Sequence, residues 1–174
     1  MPKLKNQTVG FRSFIKTSTY SKLTFEYHHL SEFRRGGNKL NRPPHEADIA
    51  EQLQHTINSG GAKFDYFSPD EKQRLSVYAS AQHTGRDSYY GGGQDVNAYG
   101  ATTDFTWVTG SQYIYSFDKC FFMPADFTGG LEYNQDNLTD DMWVYNRYTI
   151  QEVRIASAFF QNEWNNKQWS FLLG

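Results

Sequence analysis

Hydrophobic and polar positions alternate along much of the chain. Over residues 22–34, Leu23, Phe25, Tyr27 and Phe33 fall on one parity and Thr24, Glu26, His28, Glu32 and Arg34 on the other, with Leu30, His29 and Ser31 as blemishes. Residues 74–84 repeat the arrangement, Leu75, Val77, Ala79 and Ala81 opposing Arg74, Ser76, Ser80, Gln82 and Thr84. Phe127, Leu131 and Tyr133 oppose Asp126, Thr128, Glu132 and Asn134, with Gly129 and Gly130 where small size permits bending or close approach. A period of two sends successive side chains to opposite faces, so each stretch predicts a strand with one apolar and one polar face.

Weaker alternation fills the gaps. Val9, Phe11 and Ile15 predict a first strand near residues 8–17; Phe105, Trp107, Tyr113, Tyr115 and Phe117 share a parity within 103–117, and Val153, Ile155 and Phe159 within 149–164. In 49–67, Leu53, His55 and Ile57 lie on one parity but Ala62, Phe64 and Tyr66 on the other, a flip at Gly60-Gly61 that a β-bulge would produce. An eighth strand starts at residues 167–174, and the chain stops within it.

The connections alternate in length. Short turns are expected at 18–21, 68–71 and 165–167, with a somewhat longer one at 119–124, and long polar segments at 35–48, 87–101 and 136–147. Long loops at one end of antiparallel strands and short turns at the other match an outer-membrane barrel. Two-faced strands also describe a soluble β-sandwich with an adhesion or carbohydrate-binding role, and about eight strands would make a complete small outer-membrane barrel. Strand length, alternating loops and aromatics near strand ends (Tyr20, Phe33, Phe67, Phe117, Trp164 and Trp169) favour a membrane wall.

Composition narrows the classes. The chain has 174 residues, 17 basic against 19 acidic side chains, and so no basic field for nucleic acid. Aromatics make up 17%, against a mean hydropathy of -0.73. Disordered chains lack such rings, and no apolar run of roughly 18 residues offers a membrane helix. A lipid-facing stripe averaged with a polar stripe and wet loops produces this combination. One cysteine, Cys120, forms no disulfide framework and no multi-cysteine metal site.

The run Phe159-Phe160-Gln161-Asn162-Glu163-Trp164, followed by Trp169-Ser170-Phe171-Leu172-Leu173-Gly174, resembles a recurring barrel hairpin of TonB-dependent outer-membrane receptors. The segments from Phe25 to Gly37, Arg42 to Asp48, Arg86 to Gly92 and Met123 to Asp126 look like the mid-barrel region of a Bacteroidetes-type branch of that family. The resemblance covers nearly the whole chain and implies an all-β antiparallel meander of about eight long strands, residues 1–174 being part of a transmembrane outer-membrane barrel domain. It implies a receptor for a scarce nutrient such as a metal chelate (a siderophore or cobalamin), surrounded by outer-membrane lipid. Family members also carry a signal peptide, a TonB box and a plug; none is matched here, so coupling to the TonB complex is expected only through parts of a parent protein.

Candidate chemistry is sparse. Glu26, His28 and Glu32 share one strand face while His29 points the other way, a weak case for a metal site against a solvated wall. His45-Glu46 lacks the spacing of a His-Glu-x-x-His site. Ser88 is not in a Gly-x-Ser-x-Gly elbow, Cys120 has no adjacent base, and Asp140-Asp141 reads as a solvated turn. No catalytic residue, metal or cofactor is expected. Tyr- and Gly-rich loops suit adaptable binding, so the expected ligand contacts are Arg34, Arg35, Arg86, Tyr89, Tyr90, Tyr99, Trp143, Tyr145 and Arg147.

Overall fold

In the computed structural model, which describes residues 2–174, the chain folds into eight strands: β1 (Lys3–Ser18), β2 (Ser21–Gly37), β3 (Ile49–Phe67), β4 (Gln73–Gly92), β5 (Tyr99–Cys120), β6 (Met123–Met142), β7 (Arg147–Asn165) and β8 (Ser170–Leu173). Each pairs antiparallel with the next, so spatial order equals chain order and the fold is an all-β meander. β1 and β8 are the two edges of a single open sheet, and among the described residues no second sheet packs on it. Neither a sandwich nor a closed eight-stranded barrel is formed.

Register explains the alternation. Ile15, Leu23, Phe64 and Val77 are successive partners across four strands, and Phe11, Tyr27, Gly60, Ala81 and Trp107, four residues earlier in β1 and nearer the loop end, are successive partners across five. Residues paired in register share a face, so these rows build one apolar surface. The same face turns polar toward the loop end. His29, Asn58 and His83 form the next row, then Ser31, Thr56, Gly85, Thr103 and Thr139. The blemishes His29 and Ser31 in the sequence pattern are therefore where the rows become mostly polar, with Val9 and Phe105 as the apolar members of the His29 row and Ile150 of the Ser31 row.

The opposite face carries charge in the turn-side half. Asp65 is buried there; Ser76 Oγ donates to its Oδ1 at 2.6 Å, and Lys63 and Arg74 stand at 3.1 and 3.5 Å. Nearer the loops, Leu30 pairs with Ile57 on this same face.

Two expectations are corrected. Pairing runs through Gly60 and Gly61 without a shift on either side, Tyr27 facing Gly60 and Glu26 facing Gly61, so there is no bulge. The parity flips because the apolar residues change faces: Phe64 and Tyr66 belong to the apolar rows, while Leu53 and Ile57 lie on the other side with Leu30. Much of the three long segments is also strand. Residues 87–92, 99–101 and 136–142 sit in the ladder although they are rich in polar residues, glycine and tyrosine. Their backbone groups are paired across the sheet, which is what strand formation requires whatever the side chains are.

What remains as connection is short. Residues 38–48 form a strap containing a 3₁₀ turn, Pro44–Glu46, and residues 93–98 form a second loop. A 3₁₀ turn, Trp143–Tyr145, ends on left-handed Asn146 and joins β6 to β7. At the other end the β5/β6 turn is only Phe121-Phe122, and β8 starts at Ser170 because Asn166 Oδ1 accepts from the amides of Gln168 and Trp169.

Candidate functional site

The loop-side half of the charged face holds a continuous polar row. Asn6, Glu32, His55, Arg86, Thr102, Asp140 and Thr149 are successive register partners from β1 to β7. Because each strand contributes one side chain at the same level, neighbours stand close enough to interact directly. Asn6 Nδ2 donates to Glu32 Oε2 at 3.1 Å, and Arg34 grips the same carboxylate with Nε at 2.7 Å and Nη2 at 3.0 Å. His55 Nδ1 lies 3.7 Å from Glu32 Oε1.

At the other end of the row, Asp140 is the hub. Thr102 donates to its Oδ1 at 2.6 Å, Arg147 Nη2 to its Oδ2 at 2.9 Å, and Arg86 Nη2 stands 3.6 Å away while donating to Thr102 Oγ1 at 2.9 Å. The Thr102 hydroxyl, with Arg147 and Arg86 beside it, holds the Asp140 carboxyl below the usual carboxylate range against the opposing effect of burial. The Arg34 fork does the same for Glu32. Two guanidinium groups share one carboxylate at Asp140, and Arg86 Nε is buried without a partner, so the patch carries a surplus positive charge that an anionic ligand would neutralise.

The other face at this end is aromatic. Tyr89 is fully buried beneath the strap and the 93–98 loop, packed with Ala47, Ala50 and Ala98. Its hydroxyl donates to the Asp95 carbonyl at 2.9 Å, and its ring meets Tyr99 edge-on at 4.9 Å. Tyr99 continues the cluster to Trp143 at 6.2 Å, and its hydroxyl lies 2.7 Å from His45 Nδ1. The strap is clamped at Asp48, which accepts from Asn38 Nδ2 and Lys39 Nζ, each at 2.8 Å. Lys39 and Asn38 hold the Asp48 carboxyl below its ordinary range.

The nine expected contacts all lie at the loop end, but they do not converge. Arg34, Arg86, Tyr90 and Arg147 project from the charged face; Arg35, Tyr89 and Tyr99 share the other. Tyr90, Trp143 and Tyr145 are exposed, and Tyr89 is inside. Seven of them sit on strands rather than in loops, since Arg34 and Arg35 belong to β2, Arg86, Tyr89 and Tyr90 to β4, Tyr99 to β5 and Arg147 to β7.

Sequence reasoning missed Asp140 and Thr102 as members of the site. Asp140 is not in a solvated turn: it is 9% exposed and paired in β6 with Thr102 and Thr149. Its parity with Glu132 and Asp136 was the available signal. Glu26 and His28 line a groove of about 410 Å³ on the charged face, together with Ser80, Gln82 and Thr106. Glu32 is taken up by Arg34, and no cluster of three or more His, Cys, Asp or Glu able to hold a metal occurs among the described residues. Comparison of the chain with protein families, with curated proteins and with solved structures returns no match.

Proposed function

We propose that the chain is a wall segment of a β-barrel crossing a bacterial outer membrane, of the TonB-dependent receptor type, and that the whole receptor takes up a scarce nutrient such as a metal chelate. The observation that carries this reading is that the large apolar side chains of β2 to β6 gather mostly on one face and mostly in its turn-side rows, although β7 turns Val153, Ile155 and Phe159 to the charged face. A tilted strand crosses a bilayer in about 9–11 residues, and β4, β5 and β6 run for 20, 22 and 20. About half of each would then stand beyond the membrane, and above His29 and His83 the apolar-banded face does turn mostly polar before the strap covers Tyr89.

The open edges agree with a wall that continues. β1 is exposed along its whole length, and β8 covers only Asn162–Asn165 of β7. Long unpaired edges invite pairing with further strands. In this arrangement the charged face lines the interior, and the surplus cation at Arg86 and Arg147 meets an anionic chelate. The role is transport and recognition, not catalysis.

Uptake of a labelled ferric siderophore or of cobalamin by cells carrying the full protein tests the reading. Arg86→Gln combined with Arg147→Gln should reduce uptake while the amount of protein in the outer-membrane fraction stays the same. Recovery of the full protein in the soluble fraction would sink it.

A further inference from the structure

We propose that Arg35 anchors a site for a phosphate-type oxyanion at the loop end of the apolar-banded face, beside the strap. Arg35 is 2% exposed, yet its guanidinium has no carboxylate partner among the described residues. Nη1 donates to the Gly36 carbonyl at 3.2 Å, and Nη2 is buried with no acceptor. A buried, uncompensated guanidinium is costly, and the aromatic packing around Tyr89 supplies no charge to offset it.

A second observation points the same way. The register partner of Arg35 on β1 is Lys3, so two cations face each other across the ladder, an arrangement that destabilises unless something negative lies between them. Lys3 Nζ is held toward the strap by the Leu40 carbonyl at 2.7 Å. A cavity of about 260 Å³ lies at this end of β1 and β2; Leu4, Arg34, Gly36, Glu51 and Leu53 line it from the charged face, Lys3 and Arg35 from the other face complete the lining, and Glu51 is its one acid. Arg34 is already engaged with Glu32, and Glu51 pairs with Gly36 on the opposite face, which leaves Lys3 and the free edge of Arg35 as the receiving groups.

A flat fork with an open N–H beside a mobile ammonium suits an oxyanion that accepts from both. Free phosphate has this chemistry, and so does a lipid phosphate, because Lys3 and Arg35 stand beyond the apolar rows on the same face. The proposal does not rest on the receptor reading.

The experiment is thermal unfolding of the full protein in neutral detergent at fixed ionic strength. One arm titrates inorganic phosphate against chloride; the other adds phosphatidic acid against diacylglycerol in the micelle. The melting temperature should rise saturably in at least one arm, the phosphate arm assigning a free anion and a response confined to phosphatidic acid assigning a headgroup. Arg35→Met should melt higher than the unmodified protein without anion, because it removes the unpaired charge, and should weaken the apparent affinity at least about tenfold. Arg35→Lys keeps the charge and should retain part of the response, while Arg42→Met, at an exposed residue beside Glu46, should leave it intact. No saturable rise in either arm, or a response that persists in Arg35→Met, would overturn the proposal.

Discussion

Tyr78 on β4 reaches across β5 and donates its hydroxyl to Glu132 Oε2 on β6 at 2.5 Å. The residue between them in register is Gly110, which pairs with both. A methyl group there would stand 2.5 Å from the Tyr78 hydroxyl oxygen and 3.0 Å from the Leu131 carbonyl. Gly110→Ala should therefore push the ring aside, break the bond to Glu132 and destabilise the protein by about 1–3 kcal/mol, as overpacking does. The check is a double-mutant cycle: Tyr78→Phe should cost stability in the otherwise unmodified protein and almost nothing once Gly110→Ala is already in place.

The face assignment predicts an asymmetry between two arginines. Val77 is in the apolar rows between Phe64 and Ser111, so Val77→Arg places a charge on the surface assigned to lipid. In the full protein in a bilayer the cost should be roughly 2–4 kcal/mol near mid-depth. Ser76 is a poor control, although its parity makes it look mild, because it is buried and bonded to Asp65. Gln82 is exposed on the charged face and lines its groove, so Gln82→Arg should be near neutral. Equal effects of the two arginines in denaturant titrations would remove the support for a lipid-facing surface.

Parity made the strands and the apolar surface legible, because Leu23, Phe64 and Val77 can only form one row if each strand shows the same side. The strand ends were not legible. From Asp136 to Met142 neither parity is consistently apolar, Leu138 and Met142 alternating with Asp136 and Asp140 on one and Asn137, Thr139 and Asp141 filling the other, so the segment looks like a loop when side chains are the only guide; the paired backbone is what makes it a strand. The flip at Gly60-Gly61 had two explanations, a bulge or a change of apolar face, and local pattern does not distinguish them. Asp140 was hidden for a related reason: its partners Thr102, Arg86 and Arg147 come from three other positions in the chain, which only register brings together.

Asp140 also makes stability depend on pH. Its folded-state carboxyl titrates below the unfolded value of about 3.9. The ionised form therefore favours folding at all pH values above that, and the contribution is lost as pH falls through the depressed folded value. Asp140→Asn should cost about 1–3 kcal/mol at neutral pH, because Arg86 and Arg147 lose their shared partner. In melts from pH 6 down to about pH 2, the difference between the unmodified protein and Asp140→Asn should shrink below about pH 4. A constant difference over that range would show that the carboxyl is not held by its ion pairs.

The aromatic residues at the loop end divide by burial into packing and contact groups. Tyr89 is 0% exposed and seals the strap through Ala47 and Ala98, whereas Tyr145 on the β6/β7 turn is 71% exposed. Tyr89→Ala should destabilise by about 3–5 kcal/mol, through lost burial and the cavity left behind, and Tyr89→Phe by about 1 kcal/mol for the bond to the Asp95 carbonyl. Tyr145→Ala should stay within about 0.5 kcal/mol. In uptake assays normalised to folded protein, the order should reverse: Tyr89→Phe keeps the surface intact and should transport normally, while alanine at Tyr145 or at exposed Tyr90 removes a ring that a ligand can reach. If Tyr89→Ala melts with Tyr145→Ala, the strap is not held by the ring beneath it and both assignments fail together.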